Sequence, residues 1–184
     1  MRKFIKIFFI YYFPILILMA ISCNVAIQAT AAGTLSVGIV NQNFFCSYAQ
    51  TKQSGEQYRL SMLFFNDAAS LDEIYDADSS TPGGDEYLYV SLVLSQANYN
   101  SLVSNGSASV TIDNLSKSTS GEAVVKLYIN VPTLGTFEDV AKEGWIDFYS
   151  ISIDGSGAIL WAEGAYQAVF SSTSWVEGSF NLGE

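Results

Sequence analysis

From Glu122 to Val131 the chain alternates with a period of two. Ala123, Val125, Leu127, Ile129 and Val131 fall on one side, and Glu122, Lys126 and Asn130 on the other. Side chains two apart share a face in a β-strand, whereas a helix needs spacings of three and four. The segment therefore reads as a half-buried strand, and Pro132 ends it because proline brings no N–H to a ladder. The same period runs through Tyr58, Leu60, Met62 and Phe64, through Leu88, Val90, Leu92 and Leu94, and through Val110 and Ile112. Leu35–Ile39 and Phe44–Ala49 read as early strands. Trp145–Ile153 alternates and then slips phase between Phe148 and Ile151, which predicts a bulge. Asp154-Gly155-Ser156-Gly157 reads as a turn leading into Ala158–Ala162. The one helix expected is Gln96–Ser104, with Ser95 to cap its first turn and Asn105-Gly106 to end it in the left-handed conformation.

Strands at this spacing, roughly eight to ten of them, predict an all-β protein built as an antiparallel β-sandwich, with a closed β-barrel as the alternative. The short helix would connect strands across one end. Near the C-terminus, Ala162-Glu163-Gly164-Ala165-Tyr166-Gln167-Ala168 is echoed by Val176-Glu177-Gly178-Ser179-Phe180-Asn181-Leu182. A glycine two places before an aromatic lets a ring lie over the bare backbone of a neighbouring strand, so the echo reads as consecutive strands of a meander. It resembles the closing strands of small exported bacterial proteins.

The N-terminus carries the clearest signal of location. Met1-Arg2-Lys3-Phe4-Ile5-Lys6 is cationic, and Ile7–Ile21 follows without a charge, interrupted by Pro14. That is the layout of a secretory signal peptide. A spanning helix needs about 20 apolar residues, and Pro14 would leave a backbone group unsatisfied in a lone membrane helix. Two cleavage points compete. Ala20-Ile21-Ser22-Cys23 resembles the lipobox of bacterial lipoproteins, which implies lipidation of Cys23 and a membrane partner reached through an N-terminal lipid. Ala29-Thr30-Ala31 offers small residues for a general signal peptidase cutting after Ala31. The expected organisation is a signal peptide over 1–22 (or to 31), a tether over 23–33 and a single all-β domain over 34–184. The expected place is the cell envelope, or the secreted or periplasmic space.

Composition then excludes whole classes. Arg2, Lys3 and Lys6 leave with the leader, so five basic and 18 acidic residues remain, a net charge of −13. Phosphate contact needs clustered Lys and Arg, so no nucleic-acid partner is expected. The chain contains no histidine. Ser-His-Asp and Cys-His catalysis, histidine-ligated zinc and histidine acid–base chemistry are therefore excluded, and no catalytic residue is assigned. Cys46 has no partner if Cys23 is lipidated or removed, and then reads as a small buried hydrophobe.

Two features could hold a ligand. Asp76, Asp78, Asp85 and Glu86 lie in a stretch from Arg59 to Lys117 that has no basic residue between its ends. Asp76-x-Asp78-x-Ser80 opens like an EF-hand loop but has Thr81 where glycine is needed and Tyr87 where Glu is needed. No cofactor is required, and calcium in a looser loop site is the one metal these carboxylates suggest. The second feature is aromatic: the strand phases turn Tyr87, Tyr89, Tyr128, Trp145, Tyr149 and Trp175 away from the aliphatic face. Such rings can form a platform that stacks on sugars, or pack against a second layer. The leading expectation is thus an exported, non-catalytic binding or structural module for glycan or protein. The alternatives are a small barrel carrying an apolar ligand and a secreted hydrolase working with carboxylates alone.

Overall fold

A computed structural model describes residues 21–23, 26–66, 86–113, 122–131 and 135–183. These residues form twelve strands and one helix. The strands are β1 (Ile21–Cys23), β2 (Ala29–Leu35), β3 (Gly38–Phe44), β4 (Cys46–Ser54), β5 (Gln57–Phe65), β6 (Tyr87–Ser95), β7 (Ala108–Asp113), β8 (Glu122–Val131), β9 (Gly135–Val140), β10 (Glu143–Ile153), β11 (Ile159–Ser171) and β12 (Ser174–Leu182). The helix α1 is Gln96–Asn105. They build two six-stranded antiparallel sheets, ordered β1-β4-β5-β6-β8-β9 (sheet I) and β3-β2-β12-β11-β10-β7 (sheet II). The fold is an all-β sandwich. The barrel alternative is overturned, because neither sheet closes on itself.

The inward residues meet between the sheets as the alternation dictates. Leu60, Met62 and Phe64 of β5, Leu88, Val90 and Leu92 of β6, and Val125, Leu127 and Ile129 of β8 come from sheet I. Ile146, Phe148, Tyr166, Phe170, Val176 and Phe180 answer from sheet II. Phe180 lies 5.3 Å edge-on from Phe148 in its own sheet and 6.1 Å from Phe64 across the interface. Such ring pairs add about 0.5–1.5 kcal/mol to what burial supplies.

The internal echo has a physical cause. Gly164 pairs with Phe180, and Tyr166 pairs with Gly178, so each strand's ring covers the other strand's glycine. A Cβ on Gly164 would press on the Phe180 ring and the Asp147 carbonyl. One on Gly178 would lie 3.0 Å from Tyr166 Cε1 and press on the Thr30 carbonyl. The Tyr166 hydroxyl, carried through the core by a fully buried ring, donates to the Thr30 carbonyl at 2.9 Å. Burial raises its pKa well above the ordinary phenol range, so it stays a donor.

The helix forms where expected and runs one residue further. Ser95 Oγ accepts from the Asn98 N–H at 3.3 Å, and Gly106 (φ 67°) closes the last turn by donating to the Leu102 carbonyl at 2.8 Å. The bulge also appears: the β10–β11 register shifts between Phe148 and Ser150. The N-terminal third differs from expectation. Leu35–Ile39 is the hairpin between β2 and β3, and Phe44–Ala49 is where the chain leaves sheet II for sheet I through Phe45. Asn66 braces that corner, its amide donating to the Asn43 carbonyl at 3.0 Å and its Oδ1 accepting from the Phe45 N–H at 3.2 Å. Alternation alone does not see a one-residue crossing, because the apolar residues on either side belong to one run.

Residues 29–33 of the segment expected as a tether lie in β2. β2 is an interior strand of sheet II, between β3 and β12, with Ala29 and Ala31 fully buried. Their small side chains fit beneath the opposing sheet. Cys46 is disulfide-bonded, which corrects its reading as an unpaired hydrophobe. Cys23, the chain's only other cysteine, stands directly across from it in the β1–β4 pairing.

Candidate functional site

The outer face of sheet II follows from the phase of its strands. Ala162, Tyr166, Ala168 and Phe170 point into the core, so Trp161, Glu163 and Gln167 point out. On β12, inward Val176 and Phe180 leave Trp175, Glu177 and Asn181 outside. On β10, Ile146 and Phe148 go in and Trp145 goes out; the bulge then leaves Tyr149 60 % exposed.

The register gathers these residues into rows. Ser150, Glu163 and Asn181 are cross-strand neighbours, and Trp161 stands two places from Glu163 on β11. Neighbouring strands lie about 4.8 Å apart and outward residues on one strand about 7 Å apart, so this is a patch the size of one or two sugar rings. Trp161 is 41 % exposed. It walls a cleft of about 420 Å³ shared with Glu163, Asn181, Ile27, Gln28 and Gly183. The floor is fixed: buried Gln28 accepts from the Asn181 N–H at 2.7 Å through its carbonyl and from Ser47 Oγ at 3.3 Å through Oε1. An indole plane, a carboxylate and an amide on a rigid β-floor can stack on an apolar ring face and hydrogen-bond its hydroxyls.

The six-residue aromatic platform does not form as one surface. Trp145, Tyr149 and Trp175 do lie on the outer face of sheet II. Tyr87, Tyr89 and Tyr128 belong to sheet I, where Tyr87 and Tyr89 are buried with Cys46, Leu63 and Phe65. Tyr87 stacks on Tyr128 at 5.6 Å, and the Tyr89 hydroxyl is 3.0 Å from Ser61 Oγ. Lys126 closes this face, with its ammonium 2.9 Å from Glu138 and 5.6 Å from the Tyr87 ring centre. Trp161, Glu163 and Asn181 were not singled out from the sequence. Carrying the inward phase of Tyr166, Ala168 and Phe170 back along β11 would have placed Trp161 and Glu163 outside.

Of the carboxylates suggested for calcium, Asp76, Asp78 and Asp85 lie outside the described residues. Glu86 is partly buried and accepts from Gln42 Nε2. Burial raises its pKa, against hydrogen bonds from Asn66, the Asn130 backbone and Gln42 that lower it. Among the described residues no group of three or more His, Cys, Asp or Glu could hold a metal ion.

A larger cleft, about 550 Å³, opens at one end of the sandwich between α1, Thr51 and the β10–β11 turn. Its aromatic lining is spent on itself, since Tyr58 and Tyr99 stack at 4.0 Å with planes 8° apart. Its carboxylate is spent on the turn. Asp154 Oδ1 accepts from the Ser156 N–H, Ser156 Oγ and the Ala158 N–H at 2.8, 2.6 and 2.9 Å. The Ser156 hydroxyl first, then these backbone donors, hold its pKa below the usual carboxylate value.

Comparison with known protein families, characterised proteins and solved structures returns no match for this chain.

Proposed function

We propose that this protein is an exported, non-catalytic binding domain that takes a glycan on the outer face of sheet II. The observation that carries the reading is the cleft in which exposed Trp161 stands beside Glu163 and Asn181, with Tyr149 on the adjoining strand. Exposed aromatics that gather into one patch, unlike single scattered ones, mark interaction surfaces. Two of the exposed rings share the outer face with a carboxylate two residues along: Trp161 with Glu163, and Trp175 with Glu177. Alternating planes and hydrogen-bonding groups on an open sheet face suit an oligosaccharide better than an apolar carrier ligand.

Export is supported by the cationic-then-apolar leader and by the disulfide of Cys46, since disulfides persist in oxidising compartments outside the cytosol. Of the two ways of holding the domain outside the cell, an envelope anchor through lipid on Cys23 and a freely secreted form, the disulfide of Cys46 favours the second, because lipid and disulfide would need the same Cys23 sulfur. Neither alters the binding face. No cofactor enters the reading, and a histidine-free chain with rings and amides at its cleft suits binding without catalysis.

The test is titration of the domain with a panel of neutral and amino-sugar oligosaccharides, read by tryptophan emission. At least one sugar is expected to shift the emission, and Trp161→Ala should weaken that binding at least tenfold, about 1.4 kcal/mol. Affinity unchanged in both Trp161→Ala and Tyr149→Ala would overturn the site.

A further inference from the structure

We infer that the export cut falls at the Ser22–Cys23 bond, and that Cys23 stays in the mature protein as the disulfide partner of Cys46. This rests on the export reading above. Peptidase meets the chain before it folds, so the question is which product can build this sandwich.

A cut after Ala31 removes half of an interior strand. The main chain at Gln28 would go, and with it the bonds to Phe44 and Asn181, both 2.7 Å. Ala29 and Ala31, at 1 % and 0 % exposure, would leave holes in the core. Thr30 is the costliest loss. Its carbonyl is the acceptor for Tyr166, its Oγ1 accepts from the Ser179 N–H at 3.0 Å, and it backs the Gly178 site on which the Tyr166 ring rests. A buried donor left without its acceptor is costly, and several such losses together approach the whole stability of a domain. What remains of β2 would be Ala32–Leu35 beside an unfilled stretch of β12 and β3.

Among the described residues, a cut after Ser22 removes only Ile21 and Ser22. Both belong to β1, a three-residue edge strand. Ala20 and Ser22 are themselves small residues at the two positions a general signal peptidase reads, directly after the apolar run. The product begins at Cys23, opposite Cys46 in the β1–β4 register.

The chemistry balances in two steps. Hydrolysis of the Ser22–Cys23 peptide bond consumes one water and leaves a carboxylate on Ser22 and an ammonium on Cys23. The two thiols then lose two protons and two electrons to form the S–S bond. The acceptor is a disulfide-bearing thiol oxidant of the export compartment, whose own disulfide is reduced to a dithiol. A thioether to lipid would occupy the same sulfur, so lipidation of Cys23 and this disulfide exclude each other.

The test is the intact mass of the full chain after expression through an export pathway, with iodoacetamide labelling before and after reduction. The expected species runs from Cys23 to Glu184, two hydrogens lighter than the dithiol, takes no label when oxidised and takes two labels once reduced. A folded species starting at Ala32 would overturn the cut. An acylated Cys23, or Cys46 labelled without reduction, would overturn the pairing. Uncleaved chain confined to the cytosol would sink the export reading on which both rest, a result distinct from either.

Discussion

The two outer faces of this sandwich are made by the same alternating backbone and have opposite fates. On sheet I, β5 and β6 are buried on both sides: Phe64 and Leu88 face the core, while Phe65 and Tyr87, one residue along, are equally hidden on the outside. On sheet II, β11 alternates cleanly, with Ala162 and Tyr166 inside and Trp161 and Glu163 in solvent. The sequences differ accordingly. Leu-Ser-Met-Leu-Phe-Phe and Tyr-Leu-Tyr-Val-Ser-Leu-Val-Leu are near-continuous apolar runs, the pattern of strands covered on both faces. A ring on a covered face is structural, whereas a ring on a wet face is available to a ligand.

The largest effect that could break this comparison lies at the ring-over-glycine interlock of sheet II. Gly178→Val should cost more than about 4 kcal/mol, because its Cβ meets main chain and the Tyr166 ring, neither of which can move. Gly155→Ala, with no atom within 4 Å of the added carbon, should change stability by less than about 0.5 kcal/mol. Urea unfolding of the two variants measures the contrast. Similar losses would mean that the ring-over-glycine interlock does not support sheet II.

A second pair of variants separates the faces directly. Phe65→Ala should lose about 3–5 kcal/mol, as a fully buried ring does. Trp161→Ala should lose about 1 kcal/mol or less while abolishing most of the sugar binding. If Trp161 proved the costlier to stability, its ring would be a packing element and the proposed site would fail.

The smallest effect is electrostatic and belongs to sheet I alone. Burial raises the Tyr87 pKa above its ordinary 10.0, with Glu138 adding to the rise and Lys126 opposing it. Burial pulls Lys126 down, but its hydrogen bonds to Tyr87 and Glu138 outweigh that and leave it raised. In each case the folded state binds protons more tightly than the unfolded chain. The stabilisation is therefore full below about pH 10 and is lost as pH climbs through the raised values. Unfolding free energies from urea titrations should fall as pH rises from 8 to 11, and no fall over that range would contradict the burial of Tyr87 on sheet I.

How much of this was legible in the sequence depended on the kind of signal. Clean alternation over Glu122–Val131, the Ser95 and Gly106 caps, the bulge after Phe148 and the paired Gly-x-aromatic segments are local, and each is present in the structure. The sheet to which a strand belongs is not local. Tyr87 and Trp145 carry the same phase signal, yet one is buried in sheet I and the other stands half-exposed on sheet II. The crossing at Phe45 and the interior position of β2 were hidden for the same reason, since both depend on partners far along the chain. Of the candidate site, the strand phases pointed to Tyr149 alone, while Trp161, Glu163 and Asn181 needed the β10–β11–β12 register to bring them together.

Hydroxyl-radical footprinting, run with and without a saturating oligosaccharide from the panel, tests the contrast between the faces most directly. Tyr149, Trp161 and Trp175 are expected to oxidise rapidly in the free protein, with Tyr149 and Trp161 protected once sugar is bound, while Phe65, Tyr87 and Tyr89 stay unreactive throughout. Rapid oxidation of Phe65 and Tyr87, or sugar-dependent protection appearing on sheet I and not at Trp161, would contradict the assignment of sheet II as the binding face.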